Sequence, residues 1–98
     1  MNKYEIMMIL KPDLEDDAKT AVLDGFKAIL TEGEGVVDNV DTEKLGLREL
    51  AYEIKDYTKG LYVVIDTHTT PEAIAEFERL SRINANVLRH LTLRRDEK

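Results

Sequence analysis

Cysteine is absent from the 98-residue chain. That excludes disulfides and thiolate metal sites, and it fits a reducing compartment. Long apolar runs are missing as well. The longest are five residues, 6–10 and 61–65, whereas a membrane-spanning helix takes about 20. Met1 leads into a strand-like pattern instead of a basic region and an apolar helix, so no signal peptide is expected and a cytosolic location is the default. Serine occurs once, at Ser81, outside any Gly-x-Ser-x-Gly elbow. His68 and His90 are isolated, with no second ligand at metal spacing. Gly33-Glu34-Gly35 follows a helical pattern and does not lead into one, so it is no phosphate loop. Asp16 and Asp17 would be helix neighbours, which do not face each other. The chain therefore reads as a non-enzyme, with no catalytic residue, metal, cofactor or small-molecule substrate expected.

Basic charge is also scarce. The net charge is −6, unlike that of most nucleic-acid binders. Its distribution is uneven. Residues 1–43 hold four Lys/Arg against eleven Asp/Glu, whereas residues 79–98 hold six against two. Local potential decides where a polyanion docks, so the last fifth of the chain is the place to look. The competing reading is a solvated basic end without a partner.

What is present is periodicity. Hydrophobic residues make up 43% of the chain, enough for one packed core. Residues 3–10 alternate, with Tyr4, Ile6, Met8 and Leu10 facing one way and Lys3, Glu5, Met7 and Ile9 the other. Pro12-Asp13 closes that strand, with Asp13 as the helix N-cap. Leu14, Ala18, Val22, Phe26, Ile29 and Leu30 then recur at helical spacing, and Gly33 and Gly35 offer the left-handed conformation that ends a helix. A second strand begins at 36–40. Residues 41–44 read as a bulge or loose segment, and alternation resumes from Gly46 with Arg48, Leu50, Tyr52 and Ile54 against Leu47, Glu49, Ala51 and Glu53. Residues 56–60 read as a turn. Leu61, Val63, Ile65 and Thr67 then alternate with Tyr62, Val64, Asp66 and His68. Thr70-Pro71 starts a second helix with a capping Thr and a Pro at its first position, striped by Ile74, Phe77 and Leu80. Asn84-Ala85-Asn86 breaks it. Residues 87–93 form a last strand whose facing stays open, because Leu88/His90/Thr92 and Val87/Arg89/Leu91/Leu93 are both plausible inward sets.

The order β-α-β-β-α-β defines an α+β domain of the ferredoxin-like type: a four-stranded antiparallel sheet with two helices on one face. A single domain over residues 1–93 and a short charged end over 94–98 are expected. The other sheet face is open. There Met7, Ile9, Tyr62 and Val64 would adjoin if the first and third strands are central, an apolar patch suited to a protein partner. Leu47 and Ala51, on the second strand, are further candidates for partner contact. RNA-recognition modules of this fold stack bases on aromatic side chains, and Lys59-Gly60-Leu61-Tyr62-Val63-Val64-Ile65 faintly echoes their signature. The stacking positions would be Leu61 and Val63, which alternation assigns to the core. Any RNA would instead be held through its phosphates, with Lys3, Arg48, Arg82, Arg89, Arg94 and Arg95 as the available cations. Lys3 and Arg89 are expected to be neighbours if the first and last strands pair.

Three segments carry a family resemblance. They are Lys3-Tyr4-Glu5-Ile6 with Lys11-Pro12-Asp13; Leu45-Gly46-Leu47-Arg48-Glu49-Leu50-Ala51-Tyr52-Glu53-Ile54 with Gly60-Leu61-Tyr62; and Arg82-Ile83-Asn84-Ala85-Asn86-Val87-Leu88-Arg89-His90-Leu91. Together, in order and spacing, they resemble the bacterial small-subunit ribosomal protein numbered six. The resemblance implies a structural component of the small ribosomal subunit that binds small-subunit ribosomal RNA as a heterodimer with the ribosomal protein numbered eighteen. It also implies that Lys3 and Arg89 sit near RNA contacts and that Arg48 belongs to a basic block of the second strand. The chain departs from the pattern at Leu45, where an aromatic is common, at Leu47 and Glu49, often basic, and at Ala85, usually acidic. The lost charge makes the hairpin of residues 45–66 a protein-contact edge more than a phosphate grip. Two other readings remain for this fold. A ligand-sensing or dimerising regulatory domain would favour glycine in the first loop, where Lys11-Pro12-Asp13 has none. A small hydrolase would need Arg there, where Lys11 stands.

Overall fold

The computed structural model describes residues 2–95, apart from the side chains of 43–45. Leu45's side chain and residues 96–98 of the expected charged end thus lie outside the described residues. The elements are β1 (Asn2–Leu10), α1 (Asp16–Leu30), β2 (Val36–Ile54), β3 (Tyr57–Thr69), α2 (Pro71–Ile83) and β4 (Val87–Arg94). The sheet order is β2-β3-β1-β4, with every neighbouring pair antiparallel. The fold is thus the expected ferredoxin-like α+β arrangement, with β1 and β3 central.

Alternation decides which side is core. Tyr4, Ile6, Met8 and Leu10 of β1 and Val63 and Ile65 of β3 are buried. They form one cluster with Leu23, Phe26 and Leu30 of α1 and Ile74 and Phe77 of α2. Phe26 meets Phe77 edge to face at 5.0 Å between centroids, a favoured aromatic geometry. Thr70 caps α2, its hydroxyl accepting from the Ala73 N–H at 3.1 Å, and Pro71 follows at the first helical position. α1 starts later than its sequence suggests. Its N-cap is Glu15, without a side-chain cap, not Asp13. Leu23, absent from the predicted stripe, is buried beside Phe26.

β2 is the irregular strand. Against β3 it carries one extra residue at Asp38, three across 42–45 and three across 50–53. The ladder breaks between Asp41 and Gly46, and Gly46 takes φ +60°. Four continuous strands therefore hold five paired antiparallel segments, because the two arms of β2 pair separately.

The hairpin turn is tighter than residues 56–60. Ile54 pairs directly with Tyr57, leaving the two-residue loop Lys55-Asp56, with φ +50° and +70°. Positive φ at both positions matches the twist of the flanking strands, the geometry that normally selects Asn-Gly. Gly60 serves another purpose. A Cβ there would lie 2.3 Å from Ile9 Cγ2 and 3.3 Å from Leu50 Cδ2. The missing side chain lets Ile9 and Leu50 close over β3.

Two stability measurements test these assignments. Gly60→Ala should destabilise by about 2 kcal/mol through overpacking in urea unfolding, and by clearly less in an Ile9→Ala background. Additive effects would show that the contact does not matter. Asp56→Gly should stabilise by about 1 kcal/mol by relieving the left-handed residue. A loss of stability would mean the turn is of another type.

Candidate nucleic-acid and protein interface

The open face is built by the same register that builds the core. Met7 lies opposite Val64 on one side and Leu91 on the other, and Ile9 lies opposite Tyr62 and Arg89. Met7, Ile9, Tyr62 and Leu91 line a shallow cavity of about 320 Å³, together with Arg89 and His90. β4 resolves its own ambiguity. A register shift at Leu88 changes its phase: Val87, opposite Leu10, is buried in the core, Leu88 is buried at the shift, and the His90 ring packs edge-on to Phe77 at 6.2 Å on the helix side. Leu91 and Leu93 face outward, 52% and 40% exposed. They extend the apolar shelf, and sequence reasoning left them undecided because both candidate sets were apolar. Exposed apolar surface of this continuity marks an interaction face.

The partner candidates divide. Met7, Tyr62 and Val64 are cross-strand neighbours on the open face. Leu47 is opposite Leu61, which packs against the core, so it lies on the helix side and is exposed there. Ala51 is exposed within the extra residues of 50–53. The single hairpin surface expected from alternation is therefore two surfaces, because the extra residues of β2 shift its phase.

The basic candidates divide too. Antiparallel pairing sets Arg89 against Ile9 and Arg94 against Tyr4. Lys3 and Arg89 are thus not neighbours. Six residues of β1 separate their levels, roughly 20 Å at the rise of a strand. Lys3 instead shares its end of the sheet with Arg94 and Arg95, where the Arg95 N–H donates to the Lys3 carbonyl at 2.7 Å. This end is regular structure, not a loose tail: β4 runs through Arg94, whose Nη2 donates to Asn2 Oδ1 at 3.1 Å. It is also partly neutralised. Arg95 donates to Glu5 Oε1 at 2.8 Å, and Asp66 stands opposite Glu5.

At the other end Arg89 donates to the Tyr52 hydroxyl, with its guanidinium carbon 5.8 Å from that ring's centre. The β2–β3 hairpin thus reaches across the sheet to β4. Arg82, at the end of α2, lines a cavity of about 240 Å³ with Arg89 and Lys55 of the hairpin tip. Lys55 carries no motif and lies just before the turn expected at residues 56–60. Arg48 is exposed on β2 opposite Gly60. Elsewhere, the one carboxyl among the described residues with a resolved shift is Glu76 on α2. The hydrogen bonds from Arg79, ahead of the charge itself, hold it below the usual carboxylate range.

An α+β domain of ferredoxin-like topology, with an apolar open face between two basic ends, is a scaffold for binding. A sequence profile of the family described as Ribosomal protein S6 matches residues 3–94. A solved structure of 30S ribosomal protein S6 from Thermotoga maritima superposes with a TM-score of 0.84 at 30% identity, over 96% of this chain and 87% of that one. The chain belongs to the ribosomal protein S6 family, and its role is that of a structural ribosomal protein.

The docking of the hairpin on β4 is testable by amide exchange. Tyr52→Phe removes the acceptor for Arg89 at a cost of about 1 kcal/mol. Residues 50–59 should then exchange roughly fivefold faster while β1 and β3 are unchanged. Unaltered exchange in the hairpin would show that the contact does not hold it.

Proposed function

We propose that the chain binds small-subunit ribosomal RNA as a heterodimer, with its open sheet face covered by a second small ribosomal protein. The family resemblance points to the ribosomal protein numbered eighteen as that partner. The observation that carries the reading is the open-face shelf of half-buried Met7, Tyr62 and Val64 and exposed Leu91 between two groups of cations. In this reading Met7, Tyr62 and Val64 contact the partner at the shelf, with Leu47 and Ala51 at a second, peripheral surface. Lys3 and Arg94 meet phosphate at one end, Arg82 and Arg89 at the other, and Arg48 from β2.

Electrostatics favours a shared interface. A chain of net charge −6 repels a polyanion at long range, and each phosphate neutralised must be matched by a local cation. A partner that brings its own basic residues supplies most of that neutralisation, and this chain supplies shape and a few contacts. The ribosomal setting makes a sensing or dimerising regulatory role the weaker reading.

The test is binding to a small-subunit RNA fragment with and without the partner over a salt series. The heterodimer should bind at least tenfold more tightly than the chain alone. Its logarithmic salt slope should fall by about 0.9 for each duplex phosphate contact removed by Arg→Ala substitution. Val64→Asp should weaken the partner at least tenfold without loss of fold. Salt-insensitive binding that ignores the partner would overturn the proposal.

A further inference from the structure

The cavity beneath the hairpin tip has a lining unlike the rest of this acidic chain. Lys55 comes from the β2–β3 turn, Ser81 and Arg82 from the last turn of α2, and Arg89 and His90 from the start of β4. Three cations converge there and no carboxylate lines the space. Among the described residues neither Lys55 nor Arg82 has an ion-pair partner. Arg89 spends one of its five N–H donors on Tyr52. Ser81 is 2% exposed, and both its Oγ and the Nδ1 of His90 are buried without a hydrogen-bond partner.

We propose that this cavity is a phosphate-binding site. Buried polar groups are ordinarily satisfied, and each exception calls for an explanation. For the Ser81 hydroxyl a tetrahedral oxyanion supplies one. Its oxygens accept from the guanidinium forks of Arg82 and Arg89, from the Lys55 ammonium and from the Ser81 hydroxyl. Arg forks match phosphate geometry in a way that lone ammonium groups do not. The cavity of about 240 Å³ admits one phosphate group with a few waters, each taking about 30 Å³.

The hairpin supports the same conclusion. Lys55 holds φ +50° in a turn that favours Asn or Gly. The turn fixes the backbone from which the Lys55 side chain joins the other two cations at the cavity. Arg89, clamped by Tyr52, presents its remaining donors without searching rotamers, so less order is lost on binding. An RNA phosphodiester and a free phosphate share this chemistry. Only the RNA arm of the test rests on the function proposed above.

The experiment is an NMR titration of amide shifts with inorganic phosphate against chloride at fixed ionic strength. Saturable shifts are expected at Lys55, Arg82 and residues 87–90. The double substitution Lys55→Ala/Arg82→Ala should raise the phosphate Kd at least tenfold. Arg79→Ala, which removes a cation from α2 outside the cavity, should leave it unchanged. Thermal unfolding checks that each variant folds. In the RNA arm the double variant should lower the salt slope by one to two. Saturable phosphate binding with an unchanged RNA slope would uphold the site and assign it a free phosphate. If the parent binds no RNA, the ribosomal RNA reading fails while the phosphate titration still decides the site. Linear shifts, equal in parent and double variant, would overturn it.

Discussion

Ile6 lies opposite Ile65 and Met8 opposite Val63, and all four side chains are fully buried beneath the helices. Because side chains along a strand alternate, that pairing leaves no freedom on the other face. Met7 must then meet Val64, and Ile9 must meet Tyr62. A one-residue slip would put the shelf in the core and the core in water. Burial of the four apolar groups, each contributing on the order of 2 kcal/mol, is thus the force that also holds the interaction face in place.

The same strand pairing separates the positive charge. Because β4 runs antiparallel to β1, the cations of the last strand fall at opposite ends of the sheet. One group joins Lys3 and is moderated by Glu5 and Asp66. The other joins Arg82 and the hairpin turn, with no acid among the residues lining its cavity. A chain with an overall negative field can therefore still present a local positive one, since screening confines each group's influence to about 10 Å.

Much of the fold was legible because period and cap signals agreed. β1 and β3 show uninterrupted alternation, and Thr70-Pro71 marks the second helix by two independent preferences. What could not be read depended on tertiary context. Asp13 suits a cap, yet the helix begins after Glu15. Residues 56–60 look like a turn by composition, but Gly60 answers a packing need from Ile9 in another strand. The phase of β2 is lost through its extra residues, which separated Leu47 from the shelf. The facing of β4 required knowing that Phe77 meets His90 edge-on. The adjacency of Lys3 and Arg89 failed for a simpler reason: pairing partners were inferred without the direction of pairing. Lys55 joined the basic group only when the hairpin was seen to reach β4.

The extra residues of β2 also bear on assembly. A sheet edge recruits other strands when its free N–H and C=O groups keep an even spacing. β2 breaks that spacing three times along its length, so it is a poor template for a foreign strand. β4 pairs with β1 without interruption from Arg89 to Arg94, and its outer edge is correspondingly regular. The molecule thus has one blunted border and one receptive border. An extended segment that adds to this sheet would do so beside β4, next to the exposed Leu91 and Leu93, and so would approach the shelf from a single side.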